Sequence, residues 1–324
     1  MITAGEAYQL FQASFNGDFG VRAAAEVRLR QVEGTAGFVG VVLQIVAADE
    51  SEIAVRQAAA IFFKNAVLRR WAVSAPLPQD PQDPTQTASP ISAGDKIFIK
   101  AQILTAFVSC PQSVRVQLQS CLYTILSSDY PTLWPQFPSL LMQMLTSADP
   151  LVVYGGLLTL LELVKVFQCV SHRCLDLYNP KAHHQGINHT PLKLRWKNGE
   201  ARAPLEEIIT SVFPHVRAIA ASLLPSPVDN THAGFMLKTI LKLYYSSIIY
   251  SLSPAQQSND SLVPWGTVLI ETLNKDVLDA ALPGDDDEER GKFAWWKAKK
   301  WACRAMNKLF SKYVYSRHHF SLPC

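Results

Sequence analysis

The chain has 324 residues, of which 48% are hydrophobic and 18% charged, and it carries a net charge of +3. That is core enough for two domains or one long repeat array. The charged fraction lies below the roughly 25% of ordinary soluble chains and points to helices covered on several sides. So small a net charge does not by itself imply a nucleic-acid footprint, and the six scattered cysteines form no dense disulfide framework, which implies free thiols.

The first twenty residues hold Glu6 and Asp18 and no basic segment before an apolar run, so no signal peptide is expected. Helical spacing dominates the chain and strand alternation is nearly absent. Paired helices are predicted over Gly5–Phe15 and Phe19–Val32, with Asp18 as N-cap of the second. The next pair is Ala36–Ala47 after Thr35 and Glu52–Trp71 after Ser51. Pro76, Pro78, Pro81, Pro84 and Pro90 break the pattern, and 73–93 is expected to be an exposed loop. Helices resume over Asp95–Val108 and, after Pro111, over Gln112–Ser127.

A fourth pair spans Pro131–Leu145 and Pro150–Val170; Glu162 and Lys165 within the second make it a buried helix and not a membrane span. An irregular insert, Ser171–Ala203, follows. The fifth pair is Pro204–Leu224 with Thr231–Leu252, and the sixth Leu262–Asn274 with Phe293–Tyr313. Hairpins of about 35–45 residues fit the period of HEAT-type repeats. The fold class predicted is therefore an all-α, HEAT/ARM-type right-handed solenoid of about six hairpins, in which stacking builds the core that no single hairpin can form.

The most informative stretch is Val55-Arg56-Gln57-Ala58-Ala59-Ala60-Ile61-Phe62-Phe63-Lys64-Asn65. At about 100° per residue, Gln57 and Lys64 fall within about 20° of each other. Apolar residues from Val55 to Leu68 cover most of the remaining circumference, and Arg56, Asn65, Arg69 and Arg70 add donors at the flanks. The bland reading of such a stripe is solvated helix charge or bonding between repeats.

This segment, with Ala24–Glu33, resembles the N-terminal domain of the importin-β (karyopherin-β) nuclear transport receptors. Further segments resemble the importin-seven and importin-eight branch: Ser113-Val114-Arg115-Val116-Gln117-Leu118, Asp129-Tyr130-Pro131-Thr132-Leu133-Trp134, Asn274-Lys275-Asp276-Val277, Trp295-Trp296-Lys297-Ala298-Lys299-Lys300-Trp301-Ala302 and Lys308-Leu309-Phe310-Ser311-Lys312-Tyr313. The resemblance implies a first helix over 1–21, a Ran-binding domain over 22–106, repeats over 107–170 and the insert over 171–203. Repeats with an acidic loop at 276–292 then fill 204–313, and a tail at 314–324 departs from the pattern. It implies a carrier that binds Ran-GTP, protein cargo and nucleoporins in cytoplasm and nucleus, with no enzyme activity, cofactor, direct nucleic-acid contact or membrane insertion. Gln57, Lys64, Asn65 and, with less support, Arg56 are the Ran-binding candidates it implies. Family members are several-fold longer, so an N-terminal portion is expected.

Other features have two readings. Asp285-Asp286-Asp287-Glu288-Glu289 is either a solvated linker or a contact for basic cargo. Cys169, His172 and Cys174 with His183, His184 and His189 match no zinc framework. Trp295–Tyr313 is read as a repeat helix packing Ala298, Trp301, Ala302, Ala305 and Leu309 inward, the alternative being a membrane-surface or calmodulin-target helix. An exportin and a Ran-independent scaffold are the alternative functions.

Overall fold

The computed structural model describes residues 2–73, 89–167, 203–249, 252–277 and 292–317, with side chains to residue 311. These residues form thirteen helices and no strand. The chain divides into two compact units, Met1–Pro135 and Gln136–Cys324. The first holds α1 (Ala4–Ala13), α2 (Phe19–Val32), α3 (Phe38–Ala47), α4 (Ile53–Arg70), α5 (Ala93–Ser109) and α6 (Gln112–Asp129). The second holds α7 (Phe137–Leu145), α8 (Pro150–Val166), α9 (Ala203–Leu223), α10 (Thr231–Ile248), α11 (Pro254–Gln257), α12 (Asn259–Asn274) and α13 (Ala294–Arg317).

Each unit is a stack of three helical hairpins. In the first, α1 pairs with α2, α3 with α4 and α5 with α6; α3 also packs on α1 and α5, and α4 on α6. In the second, α7 pairs with α8, α9 with α10 and α12 with α13; α8, α10 and α13 form one layer, and α9 packs on α7 and α12 in the other. This is the HEAT-type, all-α architecture expected from the sequence. A continuous core runs through each stack, and burying each large apolar side chain in it contributes about 1.5–3 kcal/mol. Phe11 and Phe38 meet Phe62 edge-on at 5.6 and 5.8 Å, locking α4 to both earlier first-layer helices.

A recurring local device organises the first unit. Val-Arg stands at the third and fourth positions of α2, α4 and α6 as Val21-Arg22, Val55-Arg56 and Val114-Arg115. Arg56 and Arg115 turn back to the carbonyls at the end of the preceding helix, and Arg22 to a carbonyl just past it. Arg22 Nη1 donates to Asn16 O at 3.0 Å, Arg56 Nε to Val46 O at 3.0 Å, and Arg115 to Phe107 O, Val108 O and Cys110 O at 3.0, 3.1 and 2.7 Å. The last carbonyls of a helix lack intrahelical partners, and a guanidinium fork supplies several donors at once.

Where the structure departs from the sequence-based layout, the causes are local. Helix α3 begins at Phe38 and not Ala36, because Gly37 adopts φ 86°, a left-handed conformation suited to glycine, and donates its N–H to Asp95 Oδ2 at 3.0 Å. Helix α7 begins at Phe137 and not Pro131: the turn before it wraps Asp129 O, which accepts from the backbone N–H of Leu133 and of Trp134. The expected exposed loop over 73–93 is corrected at its far end, where Ile91 is 3% exposed and its N–H donates to Arg70 O at 3.3 Å. Helix α10 ends at Ile248 rather than Leu252, Ser253 caps the short α11, and α12 starts at Asn259 rather than Leu262. Helix α13 continues past Tyr313 to Arg317. Residues 74–88, most of the 171–203 insert with its Cys–His cluster, the acidic run 285–289 and the tail from 318 lie outside the described residues. No helix among the described residues is long and apolar enough to cross a membrane.

In the second unit, α10 and α13 make the most extensive helix–helix contact. Gly234 permits it: a Cβ there would stand 2.9 Å from that of Ala294. Ala298, Ala302 and Ala305 are fully buried along the seam and Leu309 closes it, while Trp301 stays half-buried. Lys275, just after α12, donates to Leu224 O and Ser226 O at 2.7 Å each and lies over the Trp295 ring at 4.4 Å, joining α9, α12 and α13.

Candidate partner-binding face

Helix α4 is buried along most of its length, with Val55, Ala59, Ala60, Phe63, Ala66 and Val67 in the core. Its polar side chains divide into two classes. Arg56 and Arg70 are buried. Beyond its bond to Val46 O, Arg56 Nη2 meets Asp49 at 3.1 Å and Cys110 Sγ at 3.5 Å. Arg70 donates to Glu33 O and, at 2.5 Å, to Ser89 O. Arg69, at the surface, pairs with Glu33 at 2.7 Å. These three arginines hold α4 to α2, α3 and the segment before α5. Arg56, the less supported of the binding candidates, is buried and its guanidinium bonds inside the fold, unlike its counterparts Arg22 and Arg115, which are only half-buried.

Gln57, Lys64 and Asn65 form the second class. Gln57 and Asn65 are exposed and Lys64 is half-buried, and their side chains make no hydrogen bond or ion pair among the described residues. Spacings of three and four residues put Gln57, Ile61, Lys64 and Leu68 on one face. The apolar cover expected around the polar stripe is incomplete there, since Ile61 is 40% and Leu68 36% exposed. The face is mixed: an ammonium and two amides flank two aliphatic side chains. Such a surface can bury a partner's apolar side chain at its centre and hydrogen-bond at its margin.

The seam beside this face is tight. Cys121 of α6 is fully buried; burial pushes its thiol well above the usual range, and the charge of nearby Lys64 opposes the shift. Cys110 is pushed up by burial in the same way, with Arg56 opposing. Cys303 is exposed. The thiolate is the reactive form, so iodoacetamide at pH 8 is expected to label Cys303 well before Cys110 or Cys121. Peptide mass spectrometry after brief exposure reads this; faster labelling of Cys121 would show that α4 and α6 separate readily.

Below the face, the buried carboxylate of Asp129 accepts from Trp71 Nε1 at 3.0 Å and from Lys100 Nζ at 3.0 Å, and Lys100 also donates to Leu133 O at 2.8 Å. Lys96 lies over the Trp71 ring at 5.5 Å. The end of α4, the middle of α5 and the end of α6 thus meet on one acid. Nothing in the sequence marked Asp129 as this hub, although its segment had been singled out.

Residues 25–109, which include α3, α4 and α5, match the family described as "Importin-beta N-terminal domain". Among curated proteins, "Nonsense-mediated mRNA decay protein 5" of Saccharomyces cerevisiae is 28% identical over 317 residues, covering 95% of this chain and 27% of that protein. "Importin-8" of Mus musculus is 29% identical over 294 residues, covering 90% of this chain and 26% of that protein. The chain thus spans about a quarter of the length of these relatives. The solved structure of the exportin Cse1 in its cargo-free, cytoplasmic state has the same fold, with a TM-score of 0.64 at 19% identity over 92% of this chain and 28% of that one.

Proposed function

We propose that the α4 face of this chain, which belongs to the importin-β (karyopherin-β) family, holds the GTP form of the small GTPase Ran. The family is one of transport receptors and not of enzymes. The observation that carries the proposal is the set of three uncommitted polar side chains, Gln57, Lys64 and Asn65, beside the exposed Ile61 and Leu68 on a helix otherwise fixed in the core. A rigid helix offering unpaired donors needs little reordering to bind. The whole protein would carry basic protein cargo into the nucleus, contacting nucleoporins in transit between cytoplasm and nucleus. Asp285 to Glu289 are the proposed cargo contacts, by charge complementarity. Ran-GTP and cargo would oppose each other as two linked binding equilibria.

Lys64→Glu is the direct test. Affinity for Ran-GTP is expected to fall about tenfold or more, while stability stays within about 0.5 kcal/mol because the ammonium bonds nothing in the fold. Ran-GDP is expected to bind much more weakly than Ran-GTP to the unmodified chain. Titration calorimetry with both nucleotide forms, beside a urea curve for each variant, reads all of this. Equal affinity for the two forms, or an unchanged affinity in the variant, sinks the proposal. An exportin differs in the sign of the coupling, since Ran-GTP then strengthens cargo binding.

A further inference from the structure

Among the described residues outside the α4 face, a group of cations gathers in the second unit, on the layer formed by α8, α10 and α13. Lys238 and Lys242 stand one turn apart on α10. Lys242 acts on Lys165 of α8 across one seam, and Lys238 on Lys297 of α13 across the other. Lys242 Nζ lies 5.7 Å from the centre of the Trp301 ring of α13, and the Arg304 guanidinium 4.7 Å from the same centre. Tyr245 leans on that ring at 5.4 Å. The charged ends of Lys242 and Arg304 thus lie over the Trp301 ring, as cations do on an aromatic face, and Arg304 is exposed to solvent.

The balance of charge on this layer is one-sided. Among the described residues, the carboxylate that acts on Lys242 is Glu162, itself bonded by Lys165. The charges that act on Lys238 are Lys242 and Lys297, both of its own sign. Burial and these like charges hold both α10 lysines below the usual ammonium range. Repulsion between half-buried cations is unfavourable in the free protein, and a negatively charged partner relieves it.

We propose that the layer of α8, α10 and α13 binds an extended acidic segment of a partner protein, its carboxylates meeting Lys165, Lys238, Lys242, Lys297 and Arg304. The chemistry selects carboxylates over nucleic acid. Single-stranded nucleic acid gains much of its affinity by stacking bases on open aromatic faces. Here Trp301, the aromatic centre of the patch, is already occupied by two cations and a tyrosine. What the layer offers is ammonium and guanidinium groups over a short span. The partner chemistry is opposite to that of a basic cargo, and the site uses no residue of the α4 face.

Fluorescence anisotropy with a fluorescein-labelled glutamate-rich peptide of about ten residues tests the proposal, since an extended segment of that length spans the layer. The full chain is expected to bind it with an affinity that falls as salt rises. Lys238→Gln/Lys242→Gln is expected to weaken binding about tenfold or more, and Arg304→Gln, an exposed position, to weaken it by a smaller factor. Arg28→Gln/Arg30→Gln, which removes the same charge from exposed positions of α2, is expected to leave it unchanged, as is Lys64→Glu. Circular dichroism confirms that each variant keeps its helices; if the double lysine variant does not, Arg304→Gln alone decides. Equal weakening by the α2 variant, no weakening by Arg304→Gln, or tighter binding of a single-stranded RNA of equal charge overturns the proposal. Loss of Ran-GTP binding in Lys64→Glu with peptide binding intact separates this site from the α4 reading.

Discussion

Asp129→Ala is expected to destabilise the first unit by about 3 kcal/mol. Asp129 is 2% exposed and accepts from Trp71 Nε1 and Lys100 Nζ, one on α4 and the other on α5. Alanine leaves a buried indole N–H without its acceptor and a largely buried ammonium without its counter-ion. Removing one partner of a buried pair costs about 3–5 kcal/mol, and Lys100 recovers some of that through Leu133 O. A urea titration followed by tryptophan fluorescence measures the shift in midpoint. Asp129→Asn keeps an acceptor for the indole and is expected to lose less. A change below about 1 kcal/mol for the alanine variant would mean the acid is not the hub described.

The second large effect is Arg56→Ala, expected to cost about 2–3 kcal/mol. The ion pair contributes little of this, because Asp49 is 68% exposed and water screens the charge. The loss comes from removing the strong donor to Val46 O and Cys110 Sγ, which keep only their weak mutual S–H bond at 3.4 Å, and from emptying the space of the buried stem. Arg56→Lys is expected to restore little, since a single ammonium cannot span the acceptors a planar fork reaches. Chemical denaturation and Ran-GTP titration of both variants give the comparison that matters. Arg56→Ala should lose stability and keep its affinity wherever it remains folded; Lys64→Glu should do the reverse. Reduced affinity in a fully stable Arg56→Ala would return Arg56 to the partner surface.

The contrast between these residues shows how far the sequence could be read. The helical pairs were legible because apolar spacing and caps agree: Asp18 accepts from the N–H of Gly20 and Val21 where its position before an apolar run predicted a cap. The division of α4 into bonded and unbonded polar side chains was not legible. Periodicity reports the angle of a residue around its helix, and says nothing of whether a neighbouring helix ends within reach. Arg56 and Gln57 are adjacent, yet one is bonded inside and the other faces out. A signal did exist in Val21-Arg22, Val55-Arg56 and Val114-Arg115, but the proline-rich stretch between the second and third spoils the even spacing that reveals a repeat. The role of Asp129 was hidden for another reason. Its partners Trp71 and Lys100 lie 58 and 29 residues away in the chain, beyond any local pattern. Ile61 and Leu68 belong by hydrophobicity to the apolar cover of α4, yet both are exposed, because hydrophobicity does not report which part of a helix a neighbour reaches.

The clamp made by Lys275 has a consequence for tolerance to change. It fixes the end of α12 to the end of α9 and to Trp295, while Gly234 and the alanines of α13 settle the seat of that helix against α10. Both anchors of the 278–291 connection are therefore held by contacts made outside it. A flexible insertion between two ends so anchored is expected to add about 0.6 kcal/mol of closure entropy for each doubling of its length. This stretch is accordingly a position where evolution, or an engineer inserting a tag or reporter, can vary length and charge while the helices on either side keep their register.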